Sequence, residues 1–189
     1  DPVYDAGRLG ALLVQFPWSF RNDEGNRLWL EDVAAVFNRY PLVVEVRHES
    51  WNVPAFYEFL AETEIGFVNI DQPLFNKSIK PSARITAPTG YVRIHGRNYN
   101  DWFRKDADAV SRYDYLYSID ELNPWITRIN EIAERASDTY VITNNHNLGK
   151  AGVNALELKA LLMGASVAAP PTLYERYRAD LLPYAHPVG

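Results

Sequence analysis

The sequence contains no cysteine, so neither a disulfide framework nor a thiolate metal site can form. It lacks an apolar run long enough to span a membrane, and residues 1–5 have neither the basic start nor the apolar core of a secretion signal. From these absences we expect a cytoplasmic protein without a membrane partner. The net charge of −5 offers no excess of positive charge, which argues against binding of extended nucleic acid.

The composition is that of an ordinary globular domain, with 47% hydrophobic and 23% charged residues in a chain of 189. Five short apolar runs have the length of strands, and they cover residues 11–16, 42–46, 66–70, 91–94 and 139–143. Because these runs lack polar alternation, we expect strands that are buried on both faces, as in a parallel sheet. We therefore predict one α/β domain over residues 1–189.

Helix signals follow the predicted strands. Hydrophobic residues recur at helical spacing from Leu30 to Tyr40, and Pro54 suits the first turn of a second helix. Residues 118–121 form a capping box, which predicts the start of a third helix. A fourth helix is expected to end at Gly164.

Two segments fall outside this alternation. Residues 96–117 form a long connection that is rich in aromatic and basic side chains, among them Trp102, Phe103 and Lys105. Loops of this length are usually functional or disordered, and the aromatic content favours an ordered flap. Residues 170–189 are interpreted as a peripheral C-terminal tail.

Polar residues cluster directly after four of the five predicted strands. The clusters are Glu45-Val46-Arg47-His48 with Ser50-Trp51, Asp71-Gln72-Pro73, Arg93-Ile94-His95-Gly96-Arg97-Asn98, and Asn144-Asn145-His146. Ligand sites of barrels and open α/β sheets lie at the carboxyl ends of the strands. We therefore predict one polar site built from these clusters.

Strand periodicity places Glu45 and Arg47 on one face, and Arg93 and His95 on one face of another strand. Because buried charges must be paired, we expect Glu45 to meet Arg47, Arg93 or a neighbour, and Asp71 to meet one of the same arginines. The pattern fits two interpretations. The side chains contact a ligand, or they form a structural ion-pair network.

Three ligand chemistries remain open. Histidine and carboxylate side chains suit a divalent metal, although no HxxxH or HxH spacing is present. A phosphate or other anion would suit Arg97 and Asn98, and also Gly149 and Lys150 ahead of a helix start. The aromatic segment would suit stacking on a base or a sugar ring. Gly96 would let a ligand approach the backbone beside His95.

Taken together, these motifs resemble one family along nearly the whole chain. The segment Leu9-Gly10-Ala11-Leu12-Leu13-Val14-Gln15-Phe16-Pro17 with Phe20 is similar to the family pattern LGxLLxQLPxxF. Residues 45–51 are similar to its ExRHxSW signature, and Asp71, Arg93-Ile94-His95-Gly96 and Asn144-Asn145 continue it in order. The chain thus resembles the YecE-like proteins, a family classed as a domain of unknown function.

The resemblance implies a (β/α)₈ barrel of the TIM type, of which this chain would hold the C-terminal five βα units. The three N-terminal units of the family would be missing, including a second strand that ends near a Glu and an Asn. A partial barrel of this kind would have open sheet edges, and self-association through them is an expected consequence.

Three functions are compatible with these residues. In a TIM-barrel enzyme for phosphoester hydrolysis or isomerisation, Glu45, Asp71 and His95 would act as acid–base groups or metal ligands. The remaining predicted site residues would contact a small anionic ligand, and they are Arg47, His48, Trp51, Arg93, Arg97, Asn98, Asn144, Asn145, Gly149 and Lys150. The small anionic ligand would be phosphorylated, sugar-like or a nucleotide. One alternative is a binding module without turnover that recognises a nucleotide, a nucleic-acid end or a metabolite. The other is a purely structural network, because a fold alone does not determine a function.

Overall fold

A computed structural model describes residues 1–102, 104 and 109–188 of the chain. Phe103 and Lys105 of the predicted flap lie outside the described residues. The helices are α1 (Pro2–Asp5), α2 (Glu24–Val36), α3 (Pro54–Glu62), α4 (Ala109–Arg112), α5 (Ile119–Ala133), α6 (Lys150–Met163), α7 (Pro171–Arg176) and α8 (Arg178–Leu181). The strands are β1 (Leu12–Gln15), β2 (Leu42–Glu45), β3 (Gly66–Asp71), β4 (Thr89–Ile94), β5 (Asp138–Thr143), β6 (Val167–Ala169) and β7 (Ala185–Pro187).

Five strands form one sheet in the order β1-β2-β3-β4-β5, so that strands adjacent in sequence are adjacent in the sheet. β1 pairs in parallel with β2, and β2 pairs in parallel with β3. Every residue of β2 and β3 is buried, as unbroken apolar runs require in a parallel sheet. The α/β class is confirmed, and each of the five strands lies within two residues of its predicted bounds.

The ends of the helices follow from local hydrogen bonding. The Asp23 carboxylate accepts a hydrogen bond from the Asn26 N–H at 2.9 Å and so caps α2. Glu121 Oε2 accepts from the Ser118 N–H at 2.9 Å, which confirms the predicted capping box at the start of α5. α6 ends at Gly164, whose φ of 62° is the left-handed conformation expected of a C-terminal glycine. No helix in the described part of the chain is long and apolar enough to cross a membrane.

The described residues divide into two compact units, of which the first comprises residues 1–70, 74–92 and 131–141. Its core is formed by side chains of β1, β2 and β3 together with α2 and α3. Phe20 stacks on Phe16 at a centroid distance of 3.9 Å and on Trp51 at 5.2 Å. This aromatic stack anchors the segment that follows β1 against the segment that follows β2.

The second unit comprises residues 71–73, 93–130 and 142–189. One of its apolar clusters joins α6 to β6, α7, α8 and β7, with Leu181 and Ala185 buried. β6 and β7 pair in parallel as a separate two-stranded sheet. Within residues 170–189 the sequence does not predict α7, α8 and β7, because each is shorter than the windows in which periodicity can be recognised.

Candidate functional site

Glu45 and Arg47, in the first unit, form a buried ion pair. Arg47 Nε donates a hydrogen bond to Glu45 Oε1 at 2.8 Å, and the Glu45 side chain is inaccessible to solvent. The predicted pairing of Glu45 is thereby confirmed. A buried carboxylate of this kind depends on its cation, because an unpaired charge in the interior costs several kcal/mol.

His48 is the next polar residue after this pair, and its ring is held in one tautomer. The Ser50 N–H donates to His48 Nδ1 at 3.1 Å, and Ser50 Oγ lies 2.9 Å from the same nitrogen. Because Nδ1 accepts a hydrogen bond, the ring proton is on Nε2. His48 is only 4% exposed, and Nε2 has no hydrogen-bond partner among the described residues.

Two positive side chains and one carboxylate act on His48. Its ring packs edge-on against Trp18 at 4.9 Å, and the Arg21 guanidinium lies over the Trp18 ring at 5.6 Å. Burial lowers the pKa of His48, and the charges of Arg21 and Lys77 lower it further against the opposing effect of Glu49. His48 is therefore a neutral N–H donor near two cations and one carboxylate.

Lys77 approaches His48 through the backbone. Ser78 forms an antiparallel bridge with His48, and the Glu49 N–H donates to the Lys77 carbonyl at 2.8 Å. Lys77 has a φ of 71°, a left-handed conformation that is costly for a residue with a side chain. Such backbone strain persists where the surroundings impose it, and it is enriched at functional sites.

Trp51 is a core residue of the first unit. It is 1% exposed, it stacks on Phe20 and packs against Phe56, and its Nε1 donates to the Phe20 carbonyl at 2.9 Å. These contacts account for most of the ring. Its predicted ligand-binding role is therefore secondary to packing.

Asp71 of the second unit is a buried carboxylate that accepts four hydrogen bonds. Oδ1 accepts from Arg97 Nε at 2.8 Å and from the Tyr117 hydroxyl at 2.7 Å. Oδ2 accepts from Arg97 Nη2 and from Trp125 Nε1, each at 2.7 Å. A carboxylate has about four acceptor positions. All of them are used by protein donors, so Asp71 organises the elements around it.

The prediction that Asp71 pairs with Arg47 or Arg93 is wrong, because its arginine is Arg97. Gly96 precedes Arg97 and adopts a φ of 95°, so the alternation of an extended strand does not continue beyond β4. The expected role of Gly96 also needs correction. A Cβ atom placed on Gly96 would lie 3.0 Å from Tyr115 Cβ. Tyr115 therefore fills the space through which a ligand was expected to approach the backbone.

His95 lies fully buried at the end of β4, where Arg93 is buried as well. Asn144 Nδ2 lies 3.1 Å from His95 Nδ1, and because the amide group donates, the His95 proton is on Nε2. Trp102 and Tyr113 from the predicted flap pack near the ring, at centroid distances of 6.4 and 6.3 Å. Among the described flap residues, Trp102 and Tyr113 thus place aromatic rings beside the polar His95 side chain.

In the second unit, the residues that the sequence assigned to an anion already have partners within the protein. Arg97 is paired with both Asp71 and Glu121. Lys150 is paired with Asp114. Asn98 Nδ2 donates to Asp101 and to the Ser111 carbonyl.

The space beside the glycine loop ahead of α6 is also filled by a side chain. Gly149 and Gly152 both face Leu173 of α7, whose methyl groups would lie 3.0 Å from an added Cβ. This loop therefore leaves less room for an anion than its sequence predicts.

A buried amide network extends from Asn145 into α6. Asn145 Nδ2 donates to Asn154 Oδ1 at 2.8 Å and to the Tyr115 carbonyl at 2.7 Å. Asn154 also accepts from the Tyr117 N–H, and it donates to Glu157 Oε2 at 2.7 Å. Asn154 therefore joins Tyr117, a partner of Asp71, to the buried carboxyl of Glu157.

Glu157 gives the fold a pH dependence. Burial raises its pKa to about 7 from 4.5, Asp180 adds to the increase, and the hydrogen bond from Asn154 opposes it. The folded chain then keeps a proton that the unfolded chain releases near pH 4.5. This contribution to stability is complete below about pH 4.5 and is lost as the pH rises to about 7, by at most roughly 3 kcal/mol. We expect Glu157→Gln to be more stable than the wild type at about pH 8 and equal to it near pH 5, in urea unfolding.

Glu175→Gln, an exposed change in the same unit, is the matched control and should follow the wild type at both pH values. If the Glu157→Gln chain loses stability with pH as steeply as the wild type does, the carboxyl is not the responsible group.

Several residues that organise these clusters could not be identified from the sequence. Tyr117, Trp125 and Glu157 lie far from the strand ends in sequence, and no spacing rule connects them. Arg21 follows β1 as the other clusters follow their strands, and that position was the available signal. No group of three or more His, Asp or Glu side chains within the described residues is arranged to hold a metal ion.

The geometry thus defines an α/β protein with polar clusters at the ends of β2, β3, β4 and β5. Residues 1–175 match the family described as "Protein of unknown function DUF72", and the chain belongs to this family. The UPF0759 protein YunF of Bacillus subtilis (strain 168) is 31% identical over 171 residues, which cover 85% of this chain and 60% of that protein.

Solved structures of the same family are similar to this chain. A DUF72 family protein from Thermotoga maritima is 38% identical with a TM-score of 0.80, over 86% of this chain and 61% of that one. A DUF72 family protein from Enterococcus faecalis V583 is 28% identical with a TM-score of 0.78, over 86% and 62% respectively. The chain therefore spans about 60% of the length of these relatives.

Proposed function

We propose that this protein binds a small anionic ligand, phosphorylated or otherwise, at the carboxyl end of β2. The observation that carries the proposal is the Nε2–H of His48, a buried donor without a partner among the described residues. Leaving such a donor unsatisfied costs about 1–3 kcal/mol, and an acceptor from a ligand would remove that cost. Parallel α/β sheets place their ligands at this end of the strands.

The charges around His48 favour an anion over a neutral acceptor. Arg21 and Lys77 are both exposed and act on the imidazole as positive charges, and among the described residues Glu49 is the carboxylate that opposes them. Hydrogen bonds from cations to phosphate or carboxylate are about twice as strong as neutral ones. The two cations and the imidazole N–H together match the acceptor oxygens of a phosphate group.

A second candidate, an enzyme for hydrolysis or isomerisation, is favoured by His95. Its tautomer is defined by Asn144, and aromatic rings surround it, which are conditions that suit a general acid or base. In this reading His95 is the acid–base group, Asn144 orients it, and Asp71 is a positioning residue. The divalent metal and the direct ligand contacts of Arg93, Arg97 and Asn145 stay predictions.

We infer that the five strands correspond to the fourth to eighth strands of a (β/α)₈ barrel of the YecE-like type. Two facts support this inference: the sheet order follows the chain order, and the chain spans about 60% of its relatives. Self-association through β1 and β5, which end the strand order of this sheet, stays a prediction.

The anion proposal is tested by titrating inorganic phosphate into the wild type and Lys77→Gly by calorimetry. We expect Lys77→Gly to bind phosphate roughly tenfold more weakly, because one charge-assisted contact is lost. The free energy of unfolding of the variant should equal that of the wild type or exceed it by up to about 1 kcal/mol. The reason is that glycine adopts the φ of 71° without strain. Phosphate binding would then weaken without any loss of stability.

Lys80→Gln is the matched control, since Lys80 is an exposed lysine nearby whose charge does not act on His48. It should bind phosphate as the wild type does. His48→Phe should also weaken binding. If phosphate fails to bind the wild type, or binds the wild type, Lys77→Gly and His48→Phe equally, the proposal is wrong.

A further inference from the structure

A cleft between α2 and α3 in the first unit has no role in the site described above. Its volume is about 340 Å³, within the range of small-ligand pockets. The apolar wall includes Leu30, Trp51 and Phe56, all nearly fully buried, together with the half-buried Phe59. Two opposite charges, Arg27 and Glu31, stand at its edge on the same helix.

The two charges are four residues apart on α2, the spacing at which Arg and Glu commonly form a surface pair. Here Arg27 Nη1 donates instead to Asn22 Oδ1 at 2.8 Å. Glu31 forms no ion pair with any residue that the structure describes, and both side chains are exposed. Arg27 and Glu31 therefore do not pair with each other, although they lie about one helical turn apart on α2.

Asn22 is itself fixed by two hydrogen bonds to the segment after β2. Its N–H donates to Ser50 Oγ at 2.9 Å, and its Nδ2 donates to the Ser50 carbonyl at 3.2 Å. Arg27 is thus positioned through Asn22 by Ser50, which directly precedes the buried Trp51. Arg27, at the edge of the cleft, is therefore held in place, while Glu31 extends from the same helix face into solvent.

We propose that this cleft binds a small zwitterion with an apolar body, the chemistry of an α-amino acid with an aromatic side chain. The carboxylate of the ligand contacts Arg27, its ammonium group contacts Glu31, and its ring packs on Phe56 and Phe59. Neighbouring residues at this spacing have Cβ atoms about 5–6 Å apart, so one amino acid head group reaches both charges. This site and the proposed anion site both depend on Ser50, but their ligands would contact different side chains.

The test is calorimetric titration of L-phenylalanine, phenylacetate and phenethylamine into the chain. L-Phenylalanine is expected to bind roughly tenfold or more tightly than either analogue, because each analogue lacks one charge. Arg27→Gln and Glu31→Gln should each weaken L-phenylalanine to the same extent, and Ala55→Phe should abolish binding by filling the cleft. Asp32→Asn, an exposed change on α2 away from the cleft, should leave it unchanged.

The outcome separates this proposal from the anion site. L-Phenylalanine should bind equally well to Lys77→Gly, whose phosphate affinity is expected to fall. The proposal is overturned if L-phenylalanine shows no saturable binding at millimolar concentrations. It is also overturned if Ala55→Phe, folded by circular dichroism, binds as the wild type does.

Discussion

Replacing Asp71 with alanine is expected to destabilise the fold by about 3–5 kcal/mol, the largest effect of any single charge removal considered for this chain. The Asp71 carboxylate is inaccessible to solvent and accepts four hydrogen bonds from three side chains. Its removal leaves the Arg97 guanidinium without its buried partner, and it leaves the Tyr117 hydroxyl and Trp125 Nε1 without an acceptor. Urea unfolding of both chains at neutral pH measures the difference.

Asp114→Ala is the matched control, because Asp114 also pairs with a cation but its side chain is 38% exposed. Exposed pairs contribute about 0–1 kcal/mol, so this variant should stay close to the wild type. Burial also raises the pKa of Tyr117, and the neighbouring Asp71 raises it further, so this tyrosine remains protonated and donates at all ordinary pH values. A loss from Asp71→Ala no larger than that from Asp114→Ala would show that the network does not hold the second unit together.

Trp51→Ala is expected to cost about 3–5 kcal/mol, the range for truncating a large buried aromatic side chain. The ring is 1% exposed and packs on Phe20 and Phe56. Alanine would leave a cavity in the stack that joins the segments after β1 and β2. Trp51→Phe keeps most of the packing but leaves the Phe20 carbonyl without its donor, so a smaller loss of about 1–3 kcal/mol is expected.

Trp29 provides the comparison, because it also contacts Phe16 and Phe20 but is 50% exposed. Trp29→Ala should lose clearly less free energy of unfolding than Trp51→Ala in the same urea titration. Equal losses would mean that the stack around Trp51 is not the core of the first unit, and the assignment of Trp51 to packing would be wrong.

Much of the fold could be predicted because its signals are local. The unbroken apolar runs identified the strands, and Ser118 with Glu121 identified the start of α5. Glu45 and Arg47 were matched correctly because the two residues are only two apart in sequence, at the end of β2. In each case the relevant neighbours lie within a few residues in sequence.

The partners of the strand-end residues could not be predicted, because they come from distant parts of the chain. Tyr117 and Trp125 follow Asp71 by 46 and 54 residues. Spacing along one strand contains no information about such contacts. The role of Lys77 depends on a left-handed backbone and on the bridge between Ser78 and His48, which no residue pattern encodes.

The central claim is that His48 presents an unsatisfied Nε2–H to an anion, and nitrogen-detected NMR of the histidine rings tests it most directly. We predict that His48 is neutral at pH 7 with its proton on Nε2, and that inorganic phosphate shifts this Nε2 resonance in a saturable manner. The Nε2 resonance of exposed His186 should not respond in this way. A proton on Nδ1 of His48, or an Nε2 resonance that phosphate leaves unchanged, would contradict the claim.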